Sequence, residues 1–256
     1  MDSTKSMGAE SALECRELTK RFGGLEAVSG INLQVAQGER RGIIGPNGAG
    51  KTTLFSLISG LYSVTSGSIL LFGENINRLS TNRRTYLGLG RTFQITNLFP
   101  TLTVIENLVI AAMGLKRTKF SMIRPLSTYP QLFNRADEIL HSVGMEDKRG
   151  VVVRNLSHGE QRQIEISLAL ISNPRVLLLD EPTAGLSPAE STMITEMIYH
   201  LDPQMTLLII EHNMDVALQV TERITVLNQG AVFAEGTPTE IQNMPQVQEI
   251  YLGSED

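Results

Sequence analysis

Short runs of consecutive apolar residues alternate along this chain with stretches whose apolar positions recur every three or four residues, which predicts strands and helices in turn. Strand-like runs fall at residues 13–18, 31–35, 41–45, 68–72, 176–180 and 207–210. The runs Val176-Leu177-Leu178-Leu179 and Leu207-Leu208-Ile209-Ile210 have no polar alternation, as expected of parallel strands covered on both faces. They are expected to be central strands. Residues 223–235 alternate on either side of Asn228-Gln229-Gly230, which predicts an antiparallel hairpin near a sheet edge.

From about residue 94 to residue 174 the strand signal fades, and helical patterns cover 103–113, 132–143 and 157–171. The expected fold is therefore α/β, with a mixed sheet, parallel at its centre with an antiparallel β portion, and an inserted helical lobe; Gly45 to Thr52, spelling G-x-x-x-x-G-K-[ST], makes its core that of a P-loop NTPase. The expected division is 1–94 with 173–256 for the core, and 95–172 for the helical subdomain. Within that lobe, residues 114–130 carry Lys116, Arg117, Lys119 and Arg124 among Phe120, Tyr129 and two prolines, without periodicity. So long a loop suggests either a solvated connector or a contact with a partner or lipid head groups.

The 256 residues, 41% of them apolar, suffice for a packed core without staples. The single cysteine, Cys15, has no internal partner for a disulfide, and the Cys and His residues form no metal-type spacing, which fits a reducing interior. Residues 1–14 contain acids and no apolar core, so they do not read as a secretion signal. The longest apolar run, 108–115, is eight residues, against about 20 for a membrane-spanning helix. A cytosolic chain that meets membranes through a partner is expected. The net charge of −5 argues against binding nucleic acid along its phosphate backbone.

The clearest chemistry lies at Gly45-Pro46-Asn47-Gly48-Ala49-Gly50-Lys51-Thr52, a G-x-x-x-x-G-K-[ST] loop set between a predicted strand and the helical run 52–61. Its glycines let backbone amides turn inward as a nest, and the following helix aims its positive end at the same anion. Lys51 supplies a cation for terminal phosphates, and the Thr52 hydroxyl a ligand for Mg2+; Thr53 is counted with the loop. Val176 to Leu179 then leads into Asp180-Glu181-Pro182, two carboxylates at the C-terminal edge of a parallel strand, where ligands of such sheets bind. Asp180 is suited to hold Mg2+ through water, and Glu181 to take a proton from an attacking water. These residues predict Mg-ATP binding and hydrolysis.

Leu156-Ser157-His158-Gly159-Glu160-Gln161 opens the third helix. Ser157 and Glu160 form a capping box, one complete explanation of the pattern. Gly159 favours another: a glycine allows backbone to approach an anion closely. Since the chain already has a phosphate cradle, a second phosphate-binding helix start implies that it reads the ATP of another subunit.

In this order, over nearly the whole chain, the residues resemble the nucleotide-binding subunits of ABC transporters. By that resemblance Leu156 to Gln161 corresponds to the family signature, Gln94 to the loop glutamine that binds Mg2+ and water, residues 184–187 to the D-loop, and His212 to the switch histidine near the γ-phosphate. Phe22 takes the place of the adenine-stacking aromatic. Without the family, Phe22 reads as core packing, His212 as a packed neutral imidazole and Gln94 as a surface amide.

The resemblance implies a head-to-tail pair of ATPase subunits, identical or related, each ATP held between one cradle and the other chain's Ser157, Gly159 and Glu160. It also implies two membrane permeases, an extracytoplasmic solute-binding protein acting through them, and a peripheral position on the cytoplasmic face of the membrane. Three positions depart from the commonest pattern: His158 and Glu160 stand where glycine and glutamine are usual, and Ser187 where an acid is usual. Arg91-Thr92-Phe93, Leu98-Phe99-Pro100, Ala184-Gly185-Leu186 and the ending Ile250-Tyr251-Leu252-Gly253 resemble the branch serving uptake of branched-chain or other hydrophobic amino acids, with urea or amide importers as near neighbours. A soluble ABC-type ATPase acting on DNA or ribosomes would be expected to carry a heptad insertion, a tandem cassette or a basic stripe, and none is visible. A sensor without turnover is disfavoured by Glu181 and His212, and a GTPase by the lack of N-K-x-D.

Overall fold

The computed structural model describes residues 10–92, 98–115 and 129–252. Among the described residues ten strands form two sheets. Strands β1 (Ser11–Phe22), β2 (Leu25–Ala36), β4 (Ser66–Leu71) and β5 (Glu74–Asn75) make an antiparallel sheet in the order β2-β1-β4-β5. Strands β3 (Arg40–Ile44), β6 (Leu89–Arg91), β7 (Val176–Asp180), β8 (Thr206–Ile210), β9 (Arg223–Asn228) and β10 (Ala231–Gly236) make the second, in the order β10-β9-β3-β8-β7-β6. All its pairings are parallel except β10 on β9. The mixed architecture expected from the sequence is the one observed.

Each central strand serves two cores. Leu177 and Leu179 of β7, with Leu207 and Ile209 of β8, pack against the helices. Their neighbours Val176, Leu178, Leu208 and Ile210 point the other way, toward the antiparallel sheet and helix α1 (Lys51–Ser59). That period of two, with every residue apolar, is why these runs carry no polar alternation. Strands β9 and β10 turn through Gln229 and Gly230, both at positive φ, as a two-residue hairpin with right-handed strands requires.

The helices α3 (Val104–Gly114), α4 (Pro130–Ser142) and α5 (His158–Leu170) lie between β6 and β7 in the chain and share one apolar core with the helix-facing side of the sheet. Capping boxes at Thr103 and Ser157 set where α3 and α5 begin. Helix α2 (Thr81–Tyr86) precedes β6. Helices α6 (Pro188–Tyr199), α7 (Met214–Val220), α8 (Pro238–Gln242) and α9 (Pro245–Leu252) follow β7, β8 and β10. None of the described helices is long and apolar enough to cross a membrane. Strand β6 went unread in the sequence because it is three residues long with glycine at its centre. A Cβ at Gly90 would come within 2.9 Å of Pro174 Cβ.

Candidate nucleotide site

Parallel pairing aligns the C-terminal ends of three strands. Ile43 of β3 and Asp180 of β7 both stand beside Ile210 of β8, so the 45–50 loop, the Asp180-Glu181 pair and the turn containing His212 leave the sheet at one edge. The loop is held from two sides. Gly230 N–H donates to the Ala49 carbonyl at 3.1 Å, and Ser29 N–H to the Gly230 carbonyl at 2.8 Å, tying the hairpin tip to both β2 and the loop. Gly45 at φ 149° and Gly50 at φ 98° are dictated by this fit: a Cβ would meet the Leu227 carbonyl oxygen at 2.1 Å or that of Ala27 at 2.5 Å. Asn47 and Gly48 are exposed, and no atom lies within 4 Å of where a Gly48 Cβ would sit, so the inner rim is open to a ligand. Thr52 and Thr53 fall in the first turn of α1, which has no acidic residue to repel an anion. Lys51 is buried; its Nζ donates to the Gly45 carbonyl at 2.6 Å and the Pro46 carbonyl at 3.0 Å. Burial pushes this ammonium group down, while the Glu181 and Asp180 carboxylates pull it back up.

Asp180 is fully buried at the side chain and takes Arg91 Nη2 on Oδ2 at 2.9 Å. Burial pushes its carboxyl up, and the Arg91 guanidinium opposes that. Its other oxygen, Oδ1, has no hydrogen-bond partner among the described residues, nor has Arg91 Nε. An orphaned buried carboxylate oxygen suits a hydrated divalent cation. Among the described residues no group of three or more His, Cys, Asp or Glu side chains could hold a metal. A cation here would therefore draw on phosphate oxygens and the Thr52 hydroxyl, which is how Mg2+ is commonly held.

Glu181 sits at φ 48°, a conformation unfavourable to a side chain with Cβ, and its Oε1 lies 2.8 Å from His212 Nε2. Hydrogen bonds to β8 and from α5 hold that turn. Its N–H donates to the Ile210 carbonyl at 2.9 Å, and Arg162 of α5 donates to the Asp180, Glu181 and Pro182 carbonyls at 2.9, 2.6 and 2.9 Å. The buried Glu211 accepts from Thr183 N–H and Oγ at 3.1 and 2.9 Å, so the His212 turn and the turn after Glu181 are fastened together.

Phe22 ends β1 with 41% of its surface exposed, its ring edge-to-face with Tyr62 at 5.2 Å and Lys20 Nζ 4.9 Å above it. It is a presented aromatic face, not a core residue. Gln94 and residues 116–128 lie outside the described residues.

At the start of α5 the capping box is formed: Ser157 Oγ accepts from Glu160 N–H at 3.2 Å, and Glu160 accepts from Ser157 N–H at 2.8 Å. Glu160 also pairs with Lys148 at 2.9 Å. Gly159 also meets a packing need that the sequence reading did not weigh. A Cβ there would lie 2.8 Å from Glu190 Cγ and 2.9 Å from Met193 Cε of α6, and its N–H donates to Glu190 Oε1 at 2.9 Å. The glycine serves helix packing inside the chain. Ser187 caps α6 in a box with Glu190, so the serine that replaces the usual acid keeps the capping function.

Sequence reading missed Arg162, Glu190, Glu211, Tyr62 and Lys20, and it met Arg91 only within a family pattern, not as the partner of Asp180. Most of them bind main chain or sit far off in sequence, so no local motif announces them. Ser187-x-x-Glu190 alone was visible, as a capping box.

The family model "ABC transporter" matches residues 28–184, and "Branched-chain amino acid ATP-binding cassette transporter" matches 231–256. The high-affinity branched-chain amino acid transport ATP-binding protein LivG of Escherichia coli K12 is 38% identical over 252 residues, covering 96% of this chain and 99% of that protein. The lipopolysaccharide export system ATP-binding protein LptB of the same organism is 35% identical over 246 residues, covering 96% and 98%. Among solved structures, a nucleotide-free ATP-binding cassette from an ABC transporter superposes with a TM-score of 0.84 at 28% identity, covering 94% of this chain and 98% of that one. A dimeric post-hydrolysis state of the cassette MJ0796, bound to ADP and Pi, gives 0.73 at 27% identity, covering 88% and 98%.

Proposed function

From its membership of the ABC transporter ATP-binding family, to which this chain belongs, we propose that it hydrolyses Mg-ATP at an interface between two such subunits and drives import of branched-chain or other hydrophobic amino acids. The observation that carries the proposal is the meeting of three strand ends: the 45–50 loop after β3, Asp180-Glu181 after β7 and His212 after β8, with Glu181 Oε1 2.8 Å from His212 Nε2.

The amides of residues 47–50 and the α1 N-terminus bind the phosphates, Lys51 turns from its two carbonyls to the terminal phosphates, and Phe22 stacks the base. Thr52, Asp180 and Gln94 are the residues that would hold Mg2+, which when bound neutralises phosphate charge. Glu181 takes the proton of the attacking water, and His212 orients Glu181 and the γ-phosphate. Ser157, Gly159 and Glu160 of the second chain close the site; here Ser157 supplies its hydroxyl, and Gly159 and Glu160 shape the helix tip.

The dimeric cassettes among the structural relatives support pairing, and relatives named as transport ATP-binding proteins support two membrane permeases as further partners, with an extracytoplasmic solute-binding protein acting through them. The working position is peripheral, on the cytoplasmic face of the membrane. Overall identity does not select the cargo, since LptB stands within a few per cent of LivG; the C-terminal match at 231–256 is what favours amino acids.

Glu181→Gln tests the chemistry. ATP binding should survive while hydrolysis falls roughly 10^2- to 10^4-fold. Unchanged turnover in that variant would remove Glu181 from the mechanism.

A further inference from the structure

The carboxylate of Glu190 joins two helix tips. Its Oε1 accepts from Gly159 N–H at the start of α5 at 2.9 Å, and its Oε2 accepts from Ser187 N–H and Oγ at the start of α6, at 3.1 and 2.7 Å. Capping α6 needs only the second set. In the capping boxes of α3 and α8 the corresponding glutamates, Glu106 and Glu240, hydrogen-bond among the described residues only to their own N-cap residues Thr103 and Thr237. Glu190 is built differently: the bond to Gly159 spans 31 positions and crosses between elements.

The contact is close as well as polar, since any side chain at 159 would collide with Glu190 and Met193. Hydrogen bonds from Gly159 and Ser187 hold the Glu190 carboxyl down, to about 2, so at neutral pH an anion accepts them. Bonds of that kind are roughly twice as strong as neutral ones.

We infer that Glu190 is a positioning residue that locks the tip of α5 to the tip of α6, so that the 156–160 turn and the 184–187 turn present one fixed surface to the second subunit. The inference rests on the two-subunit reading above. Each subunit thus carries into the interface a surface whose two halves cannot drift apart independently.

The test is Glu190→Gln, whose single carbonyl oxygen cannot serve both Gly159 and Ser187. In the hydrolysis-deficient Glu181→Gln chain, ATP-driven dimerisation followed by sedimentation should weaken on the order of tenfold when Glu190→Gln is added. ATP affinity measured on the dilute monomer should stay unchanged, which a general loss of folding would not allow. In the nucleotide-free chain, hydrogen exchange of the Gly159 amide should quicken in Glu190→Gln. Equal dimerisation with and without Glu190→Gln would overturn the inference alone, as would unchanged Gly159 exchange. A Glu181→Gln parent that saturates with ATP and stays monomeric would overturn both the inference and the two-subunit reading.

Discussion

Arg84 is 2% exposed and has no carboxylate partner among the described residues. Its Nη1 donates to the Leu57 and Ile58 carbonyls at 2.6 and 2.7 Å, and its Nε to the Leu79 carbonyl at 3.0 Å, so one guanidinium caps the C-terminal end of α1 and ties it to the segment leading into β6. Burial pushes that guanidinium down, and the carbonyl dipoles are its compensation. Arg91 continues the tie, reaching Ser59 Oγ at 2.7 Å and Asp180 at 2.9 Å. The helix that follows the phosphate loop is thus anchored to the strand bearing Asp180 through two arginines. Arg84→Met should leave several buried carbonyls unpaired and cost roughly 2–3 kcal/mol, read as a lower midpoint in urea with an unchanged slope. A midpoint like that of the unaltered chain would mean water replaces the guanidinium. These residues show where sequence reading stops. Lys51, Asp180 and Glu181 stand in motifs because their chemistry fixes type and spacing together, whereas Arg84 and Arg91 bind carbonyls and a distant carboxylate that no local pattern encodes.

At the scale of elements, the strands were legible where burial on both faces makes every residue apolar, as in β7 and β8. Strand β1 was legible only in part. The sequence suggested 13–18, but β1 runs Ser11–Phe22, carrying Glu17 at φ 46° and shifts in register against β2, so its polar residues follow no simple alternation. Helices α3 and α5 were read to within a residue or two, and both begin at capping boxes, on Thr103 and Ser157. What the caps could not reveal is how α5 meets α6, since that contact joins Gly159 to Glu190 and Met193. Gly159→Ala should force α5 from α6 and destabilise the chain by roughly 1–3 kcal/mol, measured by thermal unfolding, with ATP-driven pairing weakened as well. A stable, normally pairing Gly159→Ala chain would show that the tips separate without consequence.

For the molecule as a whole, the sheet delivers phosphate binding and the candidate base to one edge, and the helical segment puts a capped helix tip in the same chain. On the proposed reading such a chain has a cradle and a closing surface, and two chains head to tail would complete two sites. Association then becomes part of the chemistry, so dilution should disable an otherwise intact enzyme. The direct measurement is ATPase rate per chain against chain concentration at saturating Mg-ATP. The rate per chain should climb with concentration and level off as pairs form. A rate that stays constant down to concentrations where the ATP-bound chain sediments as a monomer would contradict the shared site.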